Sequence, residues 1–72
     1  MTESSRRELL DLLAELGEQL PELRLGQLFT NLATHARGAS VEAIWDAEDE
    51  ELIASARRQL EVLARRNTAS VG

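Results

Sequence analysis

Leu25-Gly26-Gln27-Leu28-Phe29-Thr30-Asn31-Leu32-Ala33-Thr34-His35-Ala36-Arg37-Gly38 is the stretch on which the fold turns. Its apolar residues Leu25, Leu28, Phe29, Leu32, Ala33 and Ala36 fall at i, i+3, i+4, i+7, i+8 and i+11, the spacing that lines one face of a helix. Gly38 follows where a helix ends in a left-handed cap, a conformation glycine adopts without strain. The stretch predicts a helix over 24–37 whose apolar face needs something to pack against. A helix this short draws its stability from tertiary packing, so the flanking sequence must supply further helices.

On the N-terminal side, Ser5-Arg6-Arg7-Glu8 has the spacing of a capping box, and Leu9, Leu12, Leu13, Leu16 and Leu20 then form one apolar stripe. Gly17 and Pro21 bracket the end of this first helix, 5–20, although Pro21 also suits the first position of the next one. On the C-terminal side, Ser40 caps a short helical turn over 41–45. Asp46 reads as the cap of a third long helix, 46–66, with Leu52, Ile53, Ala56, Leu60, Leu63 and Ala64 as its buried stripe and Trp45 extending it. Acids at its start and Arg57, Arg58, Arg65 and Arg66 towards its end suit the helix dipole. Residues 67–72 read as a frayed tail. The expected fold is all-α: one domain over 1–72, a small bundle of three main helices.

Composition agrees. The 72 residues contain 13 acids and eight bases, all of them arginine, for a net charge of −5, and there is no cysteine. Only five residues are Val or Ile, which argues against a sheet. Without cysteine the chain has neither disulfides nor the usual zinc frameworks to support a small core. The N-terminal residues carry acids and no apolar segment of signal-peptide type, and no stretch approaches the ~20 apolar residues that span a bilayer. The expected location is the cytoplasm.

Chemistry is hard to find in these residues. The run Asp46-Ala47-Glu48-Asp49-Glu50-Glu51 lacks the alternating oxygen ligands, the glycine and the distal glutamate of a calcium loop, and it reads as a helix start. Asp49 projects inward; the expected roles are capping the Asp46 amide or pairing with an arginine such as Arg24. His35 is the sole histidine, lacks a second ligand at helical spacing, and reads as a rim residue. No serine sits in a nucleophile elbow, and the glycines form no phosphate loop. The sequence therefore predicts no enzyme, no cofactor, no metal and no evident small-molecule ligand. Residues 34–47 superficially match a helix-turn-helix, with Gly38 at the turn and Val41, Ala43 and Ile44 as packing positions, the alternative reading being a small transcriptional regulator. Glu42, Asp46, Glu48 and Asp49 would meet phosphates with repulsion, which disfavours nucleic acid.

What remains is protein contact. Leu10 and Val62 lie off the apolar stripes, and Arg24, Gln27, Asn31 and His35 line a polar face of the second helix next to Gly26, which marks the helix start or permits close approach. These six are the candidate partner-binding residues, the partner being another protein or a second copy of the chain. Arg24-Leu25-Gly26-Gln27-Leu28, Asn31-Leu32-Ala33, Ile44-Trp45-Asp46 and Asp49-Glu50-Glu51-Leu52 together resemble, over about residues 21–60, a group of short bacterial helical proteins of uncharacterised activity. The resemblance implies a freestanding bacterial protein and transfers no site residue.

Overall fold

The computed structural model describes the backbone of residues 3–71 and the side chains of residues 3–66. Four helices follow one another: α1 (Glu3–Gln19), α2 (Leu25–Arg37), α3 (Val41–Asp46) and α4 (Asp49–Val71), with no strand among the described residues. The all-α reading holds, and the three long helices fall close to where periodicity places them.

α4 is the central element, packing along α1 on one side and α2 on the other, while α1 and α2 also meet and α3 packs on α2. The core between them comprises Leu9, Leu13 and Leu16 of α1, Leu28, Leu32 and Ala33 of α2, Ala43 of α3, and Leu52 and Ala56 of α4. Leu12, Leu20, Leu23, Phe29, Ile53, Leu60 and Leu63 cover its edges. Each fully buried leucine contributes about 1.5–3 kcal/mol relative to exposure. Ala33 and Ala56 are wholly enclosed; small side chains at such places let helix backbones approach. Among the described residues a buried polar group joins the long helices: the Ser55 hydroxyl donates to the Leu32 carbonyl at 3.0 Å.

Several boundaries differ from the sequence expectation, each for a local reason. α1 starts at Glu3, so Ser5 is inside the helix and is not its cap; its hydroxyl donates to Glu50 Oε2 at 3.2 Å instead. Pro21 belongs to neither helix. It sits in the turn that the Leu23 amide closes on the Leu20 carbonyl at 3.1 Å. Gln27 Oε1 accepts from the Arg24 amide at 2.7 Å, satisfying a donor at the start of α2, and Gly26 is the second residue of that helix. A Cβ on Gly26 would meet nothing within 4 Å, so the glycine accommodates no neighbouring helix.

Gly38 ends α2 with φ 101° and ψ 171°, and its amide donates to the Thr34 carbonyl at 2.7 Å. The positive φ requires glycine as expected, but ψ lies in the extended range and not in the left-handed helical basin. The chain thereby turns sharply into Ser40, whose Oγ accepts from the Ala43 amide at 3.2 Å and caps α3 as the sequence indicates. Asp46 is the last residue of α3, not a cap of α4. The break falls at Ala47, which is extended, and α4 opens when Glu51 Oε1 accepts from the Glu48 amide at 2.9 Å. At the other end α4 continues to Val71, five residues past the expected limit. The expected frayed tail, 67–72, lies outside the residues whose side chains are described.

Candidate functional site

α3 is where the structure departs furthest from the expected core. A six-residue helix offers one narrow buried face, and Ala43 occupies it. Val41 and Trp45, four residues apart, therefore share an outward column, with Val41 83% and Trp45 89% exposed, and Ile44 beside them is also exposed. Trp45 does not extend the α4 stripe, because the break at Ala47 turns α3 away from the axis of α4. Val41 and Ile44 are likewise not packing positions. Glu42 and Asp46 form a parallel exposed column, and no base occurs between Gly38 and Ala56. The result is an apolar knob set in acidic surroundings.

A second surface lies between α2 and α4, where His35, Ser55, Arg58, Gln59 and Val62 line an open cleft of about 290 Å³. Two of the sequence candidates, His35 and Val62, meet here although they are 27 positions apart. Asn31 is one turn before His35 on the same exposed column of α2. Val62 is exposed, as its off-stripe position indicates, and Arg58 and Arg66 stand four residues to either side of it, both exposed. The dipole does not account for these arginines. Because α4 runs to Val71, its last turn holds no base, and the dipole acts mainly within that turn. Ion pairs account for their neighbours: Arg57 binds Glu8, and Arg65 lies 3.3 Å from Glu61. Arg58 and Arg66 take part in none of the ion pairs among the described residues.

The third surface is an apolar groove of about 380 Å³ between α1 and the start of α2, bordered by Leu10, Ala14, Gly17, Leu23 and Leu25 over Leu13 and Leu28. Leu10 is exposed as expected. Leu25 is not part of the buried stripe: at the first position of α2 it overhangs the end of the core and is 66% exposed. Arg24, Gln27 and Asn31 are exposed. Arg24 is not among the residues that line this groove, and the Gln27 carbonyl oxygen is engaged by the helix start.

The acidic run serves structure, as its spacing suggests. Glu51 accepts from the Glu48 amide and from Arg37 Nε, the latter at 3.1 Å to each carboxylate oxygen. The Glu48 amide first and the Arg37 guanidinium second hold the Glu51 carboxyl below its ordinary pKa. Asp49 does project inward and is half-buried. It neither caps the Asp46 amide nor pairs with Arg24: its Oδ2 is buried with no hydrogen-bond partner among the described residues, and Glu51 makes the cap. No group of three or more acidic or histidine side chains among the described residues is arranged to hold a metal. No helix among them is long and apolar enough to cross a membrane.

Comparison with family models, curated proteins and solved structures finds no match to the chain.

Proposed function

We propose that this chain is a cytoplasmic, non-enzymatic interaction module, a small subunit, adaptor or regulator that binds another protein chain through α3. The observation that carries the reading is the exposure of Trp45 and Val41 on a capped helix whose opposite face, at Ala43, is buried in the core. Tryptophan is the residue most enriched among the energetic centres of protein interfaces, where its large area is buried on contact. A lone exposed apolar residue needs no explanation; two large ones in register, on a helix fixed by Gly38 and Ser40, form a presented surface. The same α3 weighs against a nucleic-acid regulator, because Glu42 and Asp46 flank the very residues that would approach phosphates.

A photo-crosslinking amino acid at position 45, in cells expressing the protein at native level, tests the reading. The expected result is a discrete adduct, to a second copy or to another protein, from position 45 and none from the exposed control Glu15 of α1. Equal labelling from both positions, or no adduct from either, overturns it.

A further inference from the structure

We propose that the occupant of the α3 knob is a second copy of this chain, with Val41 and Trp45 of one protomer seated on the Arg58, Val62 and Arg66 stripe beside His35 of its partner. This rests on the reading of α3 as a contact surface. The knob and the stripe are complementary in charge and in layout. α3 sets its apolar column beside an acidic one, Glu42 and Asp46, in a segment without bases. α4 sets exposed Val62 between two arginines at four-residue spacing, opposite the single histidine, at the edge of an open cleft.

Among the described residues neither arginine takes part in an ion pair or a side-chain hydrogen bond. Both lie inside α4, away from its terminal turn, and both are outside the ion pairs that engage Arg37, Arg57 and Arg65. A guanidinium over the Trp45 indole gains a cation–π contact, and Glu42 and Asp46 pair with the arginines where water is excluded. The Leu10 and Leu25 groove is the weaker seat. Its lining is apolar throughout, so it offers Glu42 and Asp46 no charged partner. Knob and stripe are different patches, so the contact is heterologous unless two copies fill both seats reciprocally.

Salt gives the contact a distinctive sign. With a net charge of −5 the protomers repel at long range, and salt would strengthen an association opposed mainly by that repulsion. An association held by α3 acids on α4 arginines weakens with salt. The test is sedimentation velocity of the purified full chain from low to high micromolar concentration, at low and high salt, with Trp45 emission read on the same samples. The expected result is a rising average mass with a blue shift of the single tryptophan at low salt, both reversed at high salt. R58E/R66E and E42R/D46R should each associate about ten-fold or more weakly, and their mixture should regain association. All four positions are exposed, and circular dichroism checks that each variant folds.

A wild-type chain that stays monomeric at every concentration overturns the proposal without recourse to any variant. Undiminished association in R58E/R66E also overturns it. A monomeric wild type that still gives an adduct to a different protein at position 45 removes the second copy and leaves the interaction reading standing; absence of both removes both.

Discussion

Replacing Trp45 with alanine should leave the monomer almost as stable as before, although tryptophan is normally among the costliest side chains to truncate. With 89% of its surface exposed, only about a tenth of an area of roughly 250 Å² is covered in the fold, or about 25 Å². At about 25 cal/mol per Å² the loss is about 0.6 kcal/mol. Leu32, 1% exposed, is the internal comparison: Leu32→Ala removes a side chain from the enclosed centre of α2 and should cost about 2–5 kcal/mol. For a 72-residue chain, whose total stability is about 4–11 kcal/mol at ordinary values per residue, that is a large fraction. Urea unfolding followed by far-ultraviolet circular dichroism, at concentrations where the chain is monomeric, reads both variants without relying on the removed fluorophore. A loss above about 2 kcal/mol for Trp45→Ala would place the indole in the core and refute the position given to α3.

Other perturbations probe the devices that present α3. Gly38→Ala forces a Cβ into a backbone with φ 101°, at a cost of about 1–3 kcal/mol by the same unfolding assay; open space around the site means the penalty comes from the backbone. Ser40→Ala removes the acceptor of the Ala43 amide and should cost about 0.5–2 kcal/mol, with faster amide exchange in residues 41–46. Glu51→Ala should lower the melting temperature at neutral pH. Because the folded state depresses this carboxyl, its contribution is fully present above the unfolded-state pKa of about 4.3 and disappears as pH falls through the lower folded value. The difference between wild type and variant, followed down to strongly acidic pH, should therefore close below that window, and an acid-independent difference would contradict the assignment.

Much of the fold is legible in local signals. The three long helices follow from periodicity, and Gly38 and Ser40 mark the turn into α3. The errors lie where a helix end decides a side chain's fate. Trp45 and Leu25 satisfy the periodic pattern yet project past the core, because a wheel assigns a face without knowing whether the partner helix extends that far. The arginines of α4 look like dipole partners only while the helix is taken to end at Arg66. His35 and Val62 each stand out in sequence as off-stripe or edge residues, but their meeting in one cleft depends on the register of α2 against α4, set by contacts such as Ser55 to Leu32. Arg58 carried no local signal that separates it from Arg57. Its distinction is geometric, since one faces Glu8 of α1 and the other the cleft.

The outward presentation of the Val41 and Trp45 face of α3 is most directly tested by collisional quenching of Trp45 in dilute monomer, with a neutral quencher so that the surrounding acids do not interfere. The single indole should show the emission maximum of a hydrated tryptophan and quench nearly as efficiently as free indole in solution. A blue-shifted, poorly quenched emission at the same dilution would contradict the account.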